Sequence, residues 1–76
     1  MNVAEAFGII LKRYRKAAKL SQEQLALNSN LDRTYIGLLE RAQRQPSLTT
    51  IFELCNTLNI SPHLLIKEIE ILLEKS

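Results

Sequence analysis

Apolar side chains recur along this chain at helical steps. Ala4, Phe7, Leu11, Tyr14 and Ala18 fall three or four residues apart, and Ile10 widens their stripe. That spacing predicts an amphipathic helix of about four turns. A shorter pattern, Gln22–Asn28, has Leu25 and Ala26 as a small apolar face and Ser21 ahead of it. A serine there caps the helix, because its hydroxyl accepts a hydrogen bond from a free amide of the first turn. The next pattern starts near Asp32, another cap, and carries Tyr35, Ile36, Leu38 and Leu39. After Ser47, a further cap, Leu48, Ile51, Leu54, Cys55 and Leu58 keep helical spacing until Asn59. Ser61 as cap and Pro62 at the first helical position open a last helix. The reading is a single all-α domain over residues 1–76 with five helices.

The second and third helices are separated only by Ser29, Asn30 and Leu31. Asparagine tolerates a left-handed backbone, so Asn30 turns the chain, and Leu31 plugs the corner. Two short helices joined by so tight a turn form a helix-turn-helix, whose second helix enters the major groove of DNA. Ile36 and Leu39, three apart, face inward together. Asp32, Arg33, Thr34, Gly37 and Arg41 are left for the outside or the flanks. Arg33 and Thr34 lie in the first turn, where such helices touch base edges, and an arginine there can donate two bonds to guanine. Tyr35 is a helper at the groove wall, and Leu38 a candidate for a thymine methyl. The plainer alternative is that Arg33 and Thr34 are solvated residues of an amphipathic helix. The basic residues on either side favour DNA.

Charge sharpens this. The net charge is only +2, but residues 1–46 carry eight basic against four acidic side chains, and residues 47–76 carry two against four. A basic half that faces phosphate and an acidic half that faces a partner fit that asymmetry. Lys12, Arg13, Lys16 and Lys19 fall mostly off the apolar stripe of the first helix; they are either solvated or in contact with phosphate. Ala42–Pro46 is a loop stiffened by Pro46, and Arg41, Gln43 and Arg44 around it are further phosphate candidates.

The segment SQEQLA, four residues, then LDRTYIGLLER resembles the helix-turn-helix of the XRE/Cro/phage-repressor family. FGIILKRYRKAAKLSQ before it and RQPSLTTIFELCNTLNI after it are similar to the same family's first and fourth helices. The likeness covers roughly residues 7–66, and DRTYI, ER and RQPSL place it nearest restriction–modification controller proteins. It implies a five-helix lambda-repressor-like domain with helices 2 and 3 as the reading unit. It further implies that Arg15 pairs with Glu40 as a structural ion pair, and that Gln22 bonds a DNA phosphate and braces the recognition helix. An arginine removed from water needs such a partner on physical grounds too. The family has glycine where Lys19 and Ala42 stand here. Lys19 is therefore expected to leave the first helix less tightly closed, and Ala42 to let the third run longer or end differently.

The last helix carries more apolar residues than one buried stripe needs: Leu64, Leu65, Ile66, Ile69, Ile71, Leu72 and Leu73. The surplus, with the resemblance, implies a homodimer through helices 4 and 5, residues 61–76 being the dimerisation helix. Leu65, Ile69 and Leu72 form the expected interface stripe, with Ile66 and Leu73 beside it. A tail folded back over its own domain is the alternative.

Other classes recede. One cysteine excludes an internal disulfide, and Cys55 reads as a small buried hydrophobe. His63, the sole histidine, reads as solvated. There is no metal-ligand cluster, Gly-rich phosphate loop or nucleophile–base constellation, so neither an enzyme nor a cofactor is expected. No stretch approaches the roughly 18 apolar residues of a membrane span, and a reducing cytoplasm fits. The expected function is sequence-specific regulation of transcription by a homodimer on a near-palindromic double-stranded operator, with no small-molecule ligand. A restriction–modification controller, timing endonuclease expression from a site near its own promoter, is the leading form. A prophage or plasmid repressor, or an antitoxin-type interaction module, are the alternatives; an antitoxin more often carries a toxin-binding tail.

Overall fold

A computed structural model describes residues 1–76. Its helices are α1 (Val3–Ala17), α2 (Gln22–Asn28), α3 (Arg33–Glu40), α4 (Leu48–Leu58) and α5 (Pro62–Lys75). α1 lies across α3 and α5, α2 packs on α3 and α4, and α4 meets α5. Phe7, Ile10 and Leu11 of α1 centre the core, with Leu25 of α2, Ile36 and Leu39 of α3, Leu54 and Cys55 of α4, and Leu65 and Ile69 of α5. With so small a core, removing one of these side chains, as in Leu39→Ala, costs about 2–5 kcal/mol.

Local chemistry starts each helix. Ser21 Oγ accepts from the Gln24 amide at 3.0 Å while Gln24 Oε1 accepts from the Ser21 amide at 2.8 Å. Asn2 and Glu5 form the same reciprocal box at α1. Asp32 accepts from the Thr34 amide at 3.1 Å and Ser47 from the Thr50 amide at 3.0 Å. Ser61 sits at the N-cap of α5 but makes no side-chain cap bond; Pro62 at the helix start does the ordering there.

The helix ends at Lys19 and Ala42 depart from expectation, while Asn30 turns the chain as expected. Lys19, Asn30, Ala42 and Asn59 all adopt left-handed backbone, with φ of 60°, 57°, 61° and 57°. After Lys19, the Leu20 amide reaches back to the Arg15 carbonyl at 3.1 Å; after Ala42, the Gln43 amide reaches the Leu38 carbonyl at 2.9 Å. These are the reciprocal bonds of a glycine-type helix closure. Lys19 therefore does not leave α1 open, and Ala42 does not lengthen α3, which stops at Glu40. Leu20, Leu31 and Ile60, each following a left-handed residue, pack on the core and hold three of these turns in place. Ala18, expected on the apolar stripe of α1, is the exposed C-cap instead.

The two glycines are used elsewhere. A Cβ on Gly8 would stand 2.7 Å from the Leu39 carbonyl oxygen and 2.8 Å from that of Glu40. The absence of a side chain there lets α1 rest directly on the end of α3. Gly37, expected on the outside or a flank, is buried.

α5 corrects the expected interface. Leu65 is 1% and Ile69 6% exposed. Both belong to the chain's own core, so the bulk of each side chain is spent within the single chain. Leu72 is half-buried against that core as well. Of the expected set, Ile66, Leu73 and one edge of Ile69 line an open apolar groove, of about 410 Å³, with Val3, Phe7, Pro46 and Ile51. The exposed large apolar side chains of these two helices are Leu48 and Phe52 on α4 and Leu64, Ile66 and Ile71 on α5. No helix is long and apolar enough to cross a membrane.

Candidate nucleic-acid interface

Two polar links fix the helix-turn-helix, one between α1, α2 and α3 and one between α2 and α4. The first centres on Glu40, which ends α3. Its carboxylate accepts from Arg15 Nε at 2.6 Å, from Arg15 Nη2 at 3.0 Å and from Gln22 Nε2 at 3.0 Å. Arg15 Nη1 also donates to the Leu20 carbonyl at 2.9 Å. The two charged side chains are only 10% and 3% exposed. The hydrogen bond to Glu40 raises the Arg15 pKa above its ordinary value; desolvation opposes this and the charge of Glu40 adds to it. Arg15 thus stays charged, and three helices meet on one carboxylate. The second link is at the turn: the Ser29 hydroxyl donates to Thr57 Oγ1 at 2.7 Å, and Thr57 donates to the Asn28 carbonyl at 3.1 Å. It fastens the end of α2 to α4.

On this frame the first turn of α3 stands free. Arg33 and Thr34 are exposed, Tyr35 and Leu38 half-buried. Arg41, Gln43 and Arg44 are exposed around the end of α3. Arg44 lies over the Tyr35 ring, 5.9 Å from its centroid, a cation–π contact that joins the loop to the helix. Gln22 is half-buried; one of its amide hydrogens is committed to Glu40, leaving the second free. Gln22, Arg33, Thr34, Gly37 and Arg41 line one polar notch of about 210 Å³. Lys16 is exposed in the last turn of α1 and lies outside that notch. Arg13 leans the other way, 4.0 Å from Glu68 of α5.

Sequence reasoning missed the Arg44–Tyr35 pair, the Ser29–Thr57 link and the placement of Gly37. The first two join residues 9 and 28 apart across loops, which no helical spacing rule reaches. The signal for the third was available: a glycine inside a helix costs about 1 kcal/mol relative to alanine, so it asks for a reason. Elsewhere, no group of three or more His, Cys, Asp or Glu side chains is placed to hold a metal ion. Burial raises the Cys55 thiol pKa, in keeping with an inert packed side chain.

Comparison with known proteins agrees with this geometry. The helix-turn-helix family model HTH_3 matches residues 11–65. The control protein C.SmaI of Serratia marcescens is 44% identical over 69 residues, 90% of this chain and 82% of that one. The crystal structure of the restriction–modification controller protein C.AhdI from Aeromonas hydrophila superposes with a TM-score of 0.79 at 47% identity, over 82% of this chain and 94% of that one. The wild-type restriction–modification controller protein C.Esp1396I superposes with a TM-score of 0.90 at 26% identity, over 100% of this chain and 99% of that one. With its helix-turn-helix held by Arg15, Gln22 and Glu40 and its first recognition turn exposed, the chain belongs to the XRE-type helix-turn-helix family of DNA-binding transcription regulators, in the company of restriction–modification controller proteins.

Proposed function

We propose that this protein is a restriction–modification controller that binds a near-palindromic duplex operator as a homodimer, close to its own promoter. The observation that carries the reading is the exposed first turn of α3, Arg33 and Thr34, standing on a rigid three-helix frame beside Arg41 and Arg44. In this reading Arg33 reads a guanine edge, Thr34 and Tyr35 assist, and Leu38 meets a thymine methyl. Gln22, through its free amide hydrogen, and Lys16, Arg41, Gln43 and Arg44 hold phosphates. The Arg15–Glu40 pair is structural. The protein acts without catalysis, cofactor or small-molecule ligand, on DNA in the cytoplasm. The apolar surface on α4 and α5, Phe52 and Ile66 above all, supports pairing of two copies; identical patches pair most readily about a two-fold axis.

Selection of bound duplexes from a random library, followed by titration at several salt concentrations, tests this. We expect two similar half-sites about 34 Å apart, centre to centre. Arg33→Ala should lose about 1–3 kcal/mol at the selected site and relax the preference at one base pair in each half. An affinity indifferent to salt would sink the reading, since each phosphate neutralised contributes a log–log slope of about −0.9.

A further inference from the structure

Gly37 is out of place by the usual rules. It lies within α3, its φ is not positive, and alanine is the better helix former there. Nor does a neighbouring backbone crowd it, as happens at Gly8. The nearest atoms to a Cβ at Gly37 are Arg41 Nη1, at 3.1 Å, and Gln22 Oε1, at 3.7 Å. Gly37 is buried, and two side chains cover it. Arg41, one turn later, is exposed, but its guanidinium lies back against the bare backbone at Gly37. Its guanidinium has no carboxylate partner. No acidic residue lines the notch it enters with Gln22, Arg33 and Thr34. The two acids close in sequence are engaged: Glu40 by Arg15 and Gln22, Asp32 by the Thr34 amide. The Arg41 guanidinium thus borders a notch that no carboxylate lines, the nearest free one being Glu23 in the adjoining hollow beside Gln22 and Arg33.

We propose that the bare Cα of Gly37 is a seat for the Arg41 guanidinium, and that the notch so formed takes one phosphate of the operator backbone. The inference rests on the DNA-binding reading and adds a positioning residue to it. A phosphate suits the notch because it is the anion that duplex DNA supplies, and the planar guanidinium fork matches its oxygens. The seat matters because an arginine already held in place loses less freedom on binding. A side chain at position 37 would fill the space over which Arg41 is folded. Glycine is retained there at the expense of helix stability.

Gly37→Ala, Arg41→Ala and the double variant, in the full chain on its selected operator, provide the test. Gly37→Ala should raise the midpoint of thermal unfolding by about 4 °C, yet bind the operator about fivefold or more weakly with base preferences intact. Arg41→Ala should bind more weakly still and flatten the salt dependence by about 0.9 in slope, the share of one phosphate. In the double variant the alanine at position 37 should cost nothing more, because the group it displaces is gone. Gly37→Ala binding at wild-type strength, or losing as much without Arg41, would overturn the seat. So would a Gly37→Ala variant less stable than the parent. Loss of preference at one base pair in Arg41→Ala, with the salt slope unchanged, would assign the notch to a base edge and overturn the phosphate. A wild-type chain with no salt-dependent affinity for any duplex is a distinct result, since it removes the DNA reading itself.

Discussion

At the residue scale the decisive group is Glu40. One carboxylate takes donors from Arg15 on α1 and Gln22 on α2 while itself ending α3. At 3% side-chain exposure it has little water to fall back on. Removing one partner of a buried pair strands the other charge, at roughly 3–5 kcal/mol, whereas an exposed pair matters by about 1 kcal/mol or less. Arg15→Met and Glu40→Gln should therefore each cost several kcal/mol, and the double variant much less than their sum. Denaturant unfolding of the four proteins gives the coupling; small additive losses would show that the pair does not hold the fold. Cys55 makes a second prediction. Burial raises its pKa, so the folded chain holds the thiol proton more tightly than the unfolded one. The stabilisation is complete below the ordinary thiol value, about 8.5, and drains away as pH rises through the folded value. Unfolding midpoints between about pH 8 and 10 should fall more steeply for the wild type than for Cys55→Ala, whatever the cavity in the variant costs.

At the scale of elements, glycine is absent from the four helix ends that adopt left-handed backbone and present inside α1 and α3. Lys19 and Ala42 bear that conformation, at φ of 60° and 61°, although each carries a Cβ. A left-handed turn costs an ordinary L-residue about 1–2 kcal/mol, partly offset because glycine loses more freedom on folding. Lys19→Gly and Ala42→Gly should each stabilise the protein by roughly 0.5–1 kcal/mol, seen as a rise of several degrees in Tm. The two sites lie in separate turns, so the gains should add; a loss at either would mean the side chain makes a contact worth more than the strain. The same turns mark what a sequence can disclose. Ser21, Asp32 and Ser47 were legible as caps because capping is a matter of two or three residues along the chain. Asn59 was read only as the end of α4, whereas Asn30 was legible because asparagine tolerates the left-handed region. Lys19 and Ala42 were not, because their closure is enforced from outside the turn, by Leu20 packing on the core and by Gly8 setting α1 against Leu39 and Glu40. Arg33 and Thr34 could be read from the motif. The stacking of Arg44 on Tyr35 and the folding of Arg41 over Gly37 depend on side-chain directions that only the packed helices define.

At the scale of the whole molecule, the open question is what meets the apolar side of α4 and α5. Periodicity showed that α5 had more apolar residues than one stripe requires, and could not say which stripe turned inward. Packing against α1 settles that: Leu65 and Ile69 are core, while Ile66 at 48% and Phe52 at 56% remain exposed. Ile66 also borders the apolar groove, with Leu73, Ile51 and Pro46, and Ile51 of that groove precedes Phe52 on α4. A second copy paired there would cover this surface and fix the distance between the two exposed α3 turns. This yields two variants with opposite outcomes. Ile69→Glu buries a charge in the core and should unfold the chain, seen as loss of helical circular dichroism. Ile66→Glu places its charge where water already reaches in the single chain, so the helices should remain. In a dimer, that same substitution sets one carboxylate from each copy into the shared face, and should give a folded monomer that binds a whole operator weakly. Sedimentation at micromolar concentration is the deciding measurement. The wild type should run as a dimer and Ile66→Glu as a monomer with unchanged circular dichroism; a wild-type monomer that still binds one half-site tightly would refute both the pairing surface and the palindrome.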